Sequence, residues 1–138
     1  MAIDTIAGLK SKMPQGVVGG TTVSDLWDLL DTVEDLTTQQ VLTKTASYTA
    51  VLADNRRRIV FNSATGVTLT LPNNLPVGWE LFIIQLGAGA VTVAVTGGNL
   101  RSVGNHNKTA GQYAQAYMWV YANTGTSPQV AFSGDTAT

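Results

Sequence analysis

The sequence predicts a mainly β protein, an antiparallel β-sandwich or barrel preceded by a short N-terminal helix that forms a trimeric coiled-coil stalk. Two observations predict the β part. Segments alternating between apolar and polar residues recur at spacings of about ten residues from position 48 onward, and no long helical pattern separates any two of them. A third observation predicts the stalk, because residues 21–38 carry one apolar stripe at coiled-coil spacing.

The composition favours some classes of protein and excludes others. Of the 138 residues, 44% are hydrophobic and only 12% are charged, which suits a β-rich protein working inside an assembly better than an independent monomer. The net charge of −1 gives no electrostatic case for nucleic-acid binding. No cysteine, signal peptide pattern or membrane-length apolar run is present, so we expect assembly in a cytoplasm without disulfides or membrane contact. The alternative is simply a threonine-rich β-sandwich.

Residues 1–20 are predicted to form an N-terminal anchoring arm. One or two helical turns would place Ile3, Ile6 and Leu9 on one side, and the proline and glycines between positions 14 and 20 end any regular element. Such a short arm cannot bury its apolar residues alone, so we expect it to be ordered only against a partner.

Residues 21–38 are predicted to form a trimerising helix, with Thr22 or Ser24 as its N-cap. Five acidic residues and no lysine or arginine share this segment with the stripe. The stripe could pack on the β domain or against its own copies on a symmetry axis, and the absence of local basic partners favours the copies. The seam residues are Val23, Leu26, Leu30 and Val33.

The rest of the chain is predicted to contain a polar connector at 39–47 and a β-sandwich head domain at 48–138, with largely antiparallel strands because no crossover helix is present. Residues 79–85 are apolar on both faces, which indicates a central strand. From 112 to 122 the aromatic residues share one parity and smaller residues the other. These rings line a core or a subunit interface or, alternatively, form a sugar-stacking surface; apolar residues on both parities favour the first.

Candidate catalytic and metal-binding groups are sparse. His106 is the only histidine and lies between two asparagines in a polar loop, where we expect a solvated side chain. The head has three acidic residues, Asp54, Glu80 and Asp135, and neither a nucleophile motif nor a phosphate-binding glycine motif accompanies them. The sequence therefore predicts no enzyme activity, no cofactor and no metal.

Three consecutive arginines, Arg56, Arg57 and Arg58, are a possible contact site. They could shield an edge strand from pairing, or meet the acidic helix of a neighbouring subunit. The alternative is contact with an acidic capsid surface or nucleic acid. We favour shielding or inter-subunit contact.

The stretch from Tyr48 to Gly134 resembles a domain that occurs repeatedly in virion proteins of tailed phages. The resemblance covers about two thirds of the chain and consists of glycines and prolines at turns and hydrophobic residues in strands. Its most recognisable positions are the Leu71-Pro72 pair after an alternating strand and the spaced residues Gly78, Gln85, Gly87 and Gly89.

The resemblance implies a virion structural protein. In similar proteins the domain sits on tail fibres, head fibres or capsid decoration proteins, usually as a trimer. A chain with no long shaft fits a capsid decoration (cement) protein or short head fibre on the capsid exterior, a homotrimer whose arm residues Ile3, Ile6 and Leu9 contact the major capsid protein. The alternative is a tail-fibre or adaptor component that binds a host receptor or glycan through residues 99–107 and the aromatic strand.

Overall fold

A computed structural model describes residues 17–18, 21–22, 29–30 and 40–138 of the chain. The chain divides into two compact units, Met1–Gln39 and Gln40–Thr138. We call the second unit the head.

In the first unit, strand β1 (Val17–Val18) pairs with strand β2 (Thr21–Thr22) in antiparallel register. Thr21 and Thr22 are therefore extended rather than helical. This moves the start of the predicted helix past position 21 and is compatible with Thr22 or Ser24 as the N-cap, since an N-cap residue has extended backbone.

Only two other residues of the predicted stalk are described. Leu29 and Leu30 have helical backbone, with Leu29 exposed and Leu30 half-buried. The trimeric stalk and the anchoring arm stay predictions, because these predicted contact residues lie outside the described part of the chain: Ile3, Ile6, Leu9, Val23, Leu26 and Val33.

The head contains two sheets and is mainly β, as predicted. The six-stranded sheet has the order β3-β5-β7-β11-β12-β9, and the five-stranded sheet has the order β13-β10-β8-β6-β4. Short 3-10 turns cover Leu52–Asp54 and Val103–Asn105. The strands are β3 (Val41–Lys44), β4 (Tyr48–Thr49), β5 (Arg58–Phe61), β6 (Val67–Leu71), β7 (Glu80–Gln85), β8 (Val91–Val95), β9 (Asn99–Arg101), β10 (Lys108–Thr109), β11 (Gln115–Asn123), β12 (Pro128–Gly134) and β13 (Thr136–Ala137).

Both sheets are mixed, so the prediction of a largely antiparallel fold is wrong. Strands β3, β5 and β7 run parallel to one another, as do β4, β6 and β8, and β9 is parallel to β12. From β3 to β11 consecutive strands alternate between the two sheets. Parallel neighbours are therefore connected through a strand of the opposite sheet, and the absence of crossover helices did not require antiparallel pairing.

This alternation stacks strands β7 and β8 on strands β5 and β6 with one common offset. Ile59 pairs with Ile83 in one sheet and Leu69 with Val93 in the other, both 24 residues apart. The turn after β7 consequently lies against the turn after β5, where Leu86 N donates to Phe61 O at 2.8 Å.

Two glycines of the phage-like pattern allow the turns to stack. A Cβ at Gly87 would overlap the backbone of Ser63, and a Cβ at Gly89 would overlap the backbone of Thr65. The buried Gln85 completes the turn, since its Nε2 donates to Gly87 O and Ala88 O at 3.1 and 3.2 Å. These motif residues therefore have structural roles in the head.

Inward-facing residues of both sheets form one hydrophobic core, which makes the head a sandwich rather than a closed barrel. Full burial of each large aliphatic or aromatic side chain contributes about 1.5–3 kcal/mol. The largest apolar side chains with almost no exposure are Trp79, Phe61, Ile59, Leu69, Leu71, Leu75, Leu81, Met118, Val91, Val120 and Val130.

The predicted connector at 39–47 is also corrected. Residues Val41–Lys44 form strand β3 at the edge of the six-stranded sheet, parallel to β5, and the head begins at Gln40 rather than at Tyr48. Leu42 alone of these four residues packs against the core as a hydrophobic side chain. One inward apolar residue gives too weak a pattern to be recognised as a strand.

Candidate interaction surface

The outer side of the six-stranded sheet is unusually apolar. Its strands alternate between buried and more exposed residues, so every second side chain points away from the core. Val41 is 60% exposed, and Phe82 and Trp119 are each 40% exposed. We call this surface the aromatic face and define it by Val41, Val60, Phe82, Ile84, Tyr117, Trp119 and Tyr121.

The pairing register places these side chains in adjacent rows. Arg58 pairs with Phe82, and Phe82 pairs with Tyr117, so the three lie side by side across β5, β7 and β11. The Phe82 and Tyr117 rings are 4.6 Å apart between centroids, and the Arg58 guanidinium lies 5.5 Å from the Phe82 centroid. The two rings, tilted by 37° to each other, and the guanidinium form a continuous row across the three strands.

A groove of about 430 Å³ runs along this surface within the head. Its apolar lining comes from the aromatic face: Val41, Val60, Phe82, Ile84 and Tyr117. Its polar lining is limited, and includes Arg58, Gln115 and Ser133. Such a surface is suited to apolar contact with a partner and offers few groups for chemistry on a small substrate.

Glu80 organises the polar edge of the aromatic face. Its carboxylate accepts a 2.8 Å hydrogen bond from the Tyr117 hydroxyl and lies 3.5 Å from Arg56 Nε. Burial first, and then the hydrogen bond to Glu80, raises the pKa of Tyr117 above its ordinary value. The hydrogen bond links Tyr117 of β11 to Glu80 of the neighbouring strand β7.

Trp119 and Tyr121 extend the face beyond Tyr117. Their rings meet edge-on, with centroids 6.1 Å apart. Next to Trp119 in the register come Ala131 and then Arg101, so the indole has a small residue on one side. This end of the face is more polar than the groove, and Asn99 Nδ2 donates to Gln129 Oε1 at 3.2 Å nearby on the paired strands β9 and β12.

The aromatic strand was predicted correctly in parity but only partly in role. Ala116, Met118 and Val120 face the core, whereas Tyr117, Trp119 and Tyr121 face outward. The rings therefore do not line the core, and the subunit-interface and sugar-stacking alternatives remain. Tyr113 precedes the strand, with a left-handed φ of 68°, and is exposed.

The three arginines occupy different environments. Arg56 has a left-handed φ of 65° in the turn before β5, and its side chain is 74% exposed beside Glu80. Arg57 NH1 lies 3.5 Å from the buried carboxylate of Asp54. Arg58 opens β5 on the aromatic face. The edge-strand interpretation is wrong because β5 lies between β3 and β7.

The remaining acidic and histidine side chains have structural contacts in the head. Asp54 is fully buried and accepts hydrogen bonds from the Tyr48 hydroxyl at 2.8 Å and from Val51 N at 2.9 Å. Burial and this hydrogen bond raise the pKa of Tyr48. His106 Nδ1 lies 2.9 Å from Thr136 Oγ1, and an Asp135 carboxylate oxygen accepts from Gln115 N at 3.2 Å.

Searches for other site types give negative results over the described residues. No group of three or more His, Asp or Glu side chains is arranged to hold a metal ion in that part of the chain. None of the helices formed by described residues is long and apolar enough to cross a membrane.

Sequence reasoning missed most of the aromatic face. The apolar character of both sides of residues 80–85 was a usable signal, and β7 is a central strand as predicted. An apolar outward residue on a central strand indicates either a second covering layer or a partner. Val41 and Val60 gave no such signal, because only the register with β5 and β7 brings them beside Phe82 and Ile84.

Comparison with known proteins adds no assignment. The chain matches none of the protein-family models, and no curated protein is significantly similar to it.

Proposed function

We propose that this chain is a non-enzymatic structural protein of a tailed-phage virion, a homotrimer that binds the capsid shell as a decoration protein or short head fibre. The observation that carries the proposal is the aromatic face: a small β-sandwich that leaves Val41, Phe82 and Trp119 exposed on one sheet is suited to association. The low charge and the resemblance of residues 48–134 to phage virion domains support the same role.

Its mechanism is association through several weak contacts. The seam of Val23, Leu26, Leu30 and Val33 joins three copies, and the arm residues Ile3, Ile6 and Leu9 contact the major capsid protein. A trimer presents three arms to a shell of repeated sites, so a weak arm–shell contact is strengthened by avidity.

The copy number per purified virion tests the position. On one quantitative gel, a decoration protein should be present in amounts comparable with the major capsid protein. A handful of copies per virion would contradict the shell position and indicate a tail or neck component.

Leu30→Asp tests the stalk. A charge at a buried seam position is costly, so we expect the trimer mass to fall to that of a monomer while the β signal of the head in circular dichroism is retained. An unchanged solution mass would exclude the stalk. The matched control is Leu29→Asp, since Leu29 is exposed and lies outside the seam.

A second candidate, a tail-fibre or adaptor component that binds a host glycan, is favoured by one observation. Trp119 and Tyr121 are exposed beside the amide side chains of Asn99 and Gln129, a combination of stacking surface and hydrogen-bonding groups that suits a sugar ring. Binding of purified host-surface glycan by the full chain, abolished in Trp119→Ala and retained in Tyr113→Ala, would support this function.

A further inference from the structure

We propose that the aromatic face is the contact between neighbouring heads, with a second copy of this chain as its occupant. The inference rests on the proposed homotrimer and deepens it, because it names the head surface through which the copies meet. It predicts that the stalk holds the three copies together and that the heads add a weaker contact between them.

The first support is the distribution of exposed apolar side chains. Val41, Phe82 and Trp119 lie on the same side of one sheet, and neighbouring Val60 and Ile84 complete a contiguous patch. No large hydrophobic residue is exposed on the strands of the five-stranded sheet among the described residues. Among the strands the patch is therefore local to one sheet, and the other exposed large hydrophobic residues of the head lie in its loops and turns.

The second support is the length of chain between the predicted seam and this face. Leu36 ends the apolar stripe, and Val41 begins β3 only five positions later. Five residues span at most about 18 Å when fully extended. A domain of this size has a radius of gyration of about 13 Å, so its diameter exceeds the tether.

Three heads joined by such short tethers have little room to separate. The residue at the end of each tether, Val41, belongs to the aromatic face and lies on the edge strand of that sheet. In the proposed homotrimer each tether would therefore join its head beside the exposed apolar patch, and the neighbouring head would be the nearest available partner of that patch.

The size of the patch sets the strength of the contact. The apolar outward residues come from β3, β5, β7 and β11, and four adjacent strands are only about 14 Å across between the outer two axes. Specific interfaces that hold two free proteins together bury about 800 Å² on each partner. The smaller aromatic face should therefore hold heads together only when the stalk has already made their local concentration high.

Single thiols test the proposal, because the native chain has no cysteine. Val41→Cys places a thiol on the aromatic face, and Ala94→Cys places one at an exposed position of the five-stranded sheet. In the full-length trimer we expect maleimide to modify position 41 at least 10-fold more slowly than position 94. In the Leu30→Asp background both positions should react at similar rates.

Three results would overturn the inference. Equal rates at the two positions in a chain of trimeric mass would show that the face is open. Slow labelling of position 41 that persists in a monomeric Leu30→Asp chain would place the protection within one chain. Fast labelling of position 41 in the trimer that slows only when capsid shells or host glycan are added would identify another occupant. Thr43→Cys, also exposed on β3, repeats the measurement if Val41→Cys folds poorly.

Failure of the proposed homotrimer can be distinguished from failure of the head contact. A chain of monomeric mass at every concentration would overturn both the homotrimer and the head contact that rests on it. A trimer with an unprotected position 41 would leave the virion role intact and exclude only the head contact.

Discussion

The two outer surfaces of the head are both formed by mixed sheets, but one surface is mainly polar and the other is mainly apolar. The five-stranded sheet presents a threonine face, defined by Thr68, Thr70, Thr92, Ala94 and Lys108, of which only Ala94 is classed as exposed. Thr68 pairs with Thr92, and Thr92 pairs with Lys108, so small polar side chains form the rows of this face. The six-stranded sheet has valine and aromatic side chains at the corresponding outward positions.

The comparison shows that the inward residues of both sheets determine the fold, whereas the outward residues decide whether a sheet is suited to association. On both sheets most inward positions are apolar and buried, and these residues define the sandwich. The outward threonines satisfy the preference of β-branched residues for strands while remaining compatible with water. The outward rings are equally compatible with strands but leave apolar surface exposed, as is typical of surfaces that contact a partner.

The largest expected effect is on the free energy of unfolding, and it differs between the two sides of strand β11. Met118→Lys should unfold the head, because it places a charge in the core at a position with no exposure, and such changes cost more than about 4 kcal/mol. Trp119→Lys, on the aromatic face, should change the free energy of unfolding by less than about 1 kcal/mol. Urea denaturation of both variants measures this, and similar losses would contradict the assignment of Trp119 to the surface.

The second effect, also on stability, concerns the turns that connect strands of the two sheets. Gly89→Ala should lower the free energy of unfolding by about 2–3 kcal/mol, because the new Cβ meets the Thr65 backbone and the stacked turns must separate. Gly66→Ala is the matched control, since its Cβ would lie 3.7 Å from Ala90 O, an ordinary contact. Thermal denaturation should show a lowered midpoint for Gly89→Ala alone; equal midpoints would mean that the turns can relax.

The smallest effect tests the polar contact on the aromatic face. The pKa of Tyr117 is raised in the folded state, so an unfolded chain loses this proton first, near pH 10. The stability that Tyr117 contributes is therefore complete below pH 10 and is lost as the pH rises through the folded-state pKa.

Tyr117→Phe removes this titration along with a hydrogen bond that contributes about 0.5–1.5 kcal/mol. Between pH 8 and 11 its unfolding midpoint in urea should fall less steeply than that of the native chain. A Tyr117→Phe slope identical to the native one would mean that the Glu80 contact does not form in solution.

Sequence reasoning succeeded where local periodicity reflects burial. The alternation of Val67, Leu69 and Leu71 predicted a half-buried strand, and all three face the core. The parity of the aromatic strand was likewise correct. These assignments depend only on the two-residue repeat of side-chain direction along a strand, which a sequence displays directly.

The failures concern information that no local pattern contains. Strand direction depends on how the chain travels between sheets, and alternating sheets made parallel pairing possible without helices. The aromatic face arises from register, which brings Val41, Val60 and Phe82 together from segments far apart in sequence. The buried Asp54 shows a third limit, because its partner Tyr48 could not be identified from its position in a turn.

One coil of the head, a strand of each sheet with its turns, spans 24 residues from β5 to β7 and from β6 to β8, so the stack lengthens in whole coils. An additional 24-residue coil inserted between β6 and β7 would preserve the pairing pattern on either side and add about 4.8 Å along the stack. Each added coil would extend both faces by one strand, as Val60 is followed by Ile84 on one and Thr68 by Thr92 on the other. Gene duplication of one coil could thus lengthen such a head, and widen its contact surface, without redesigning its core.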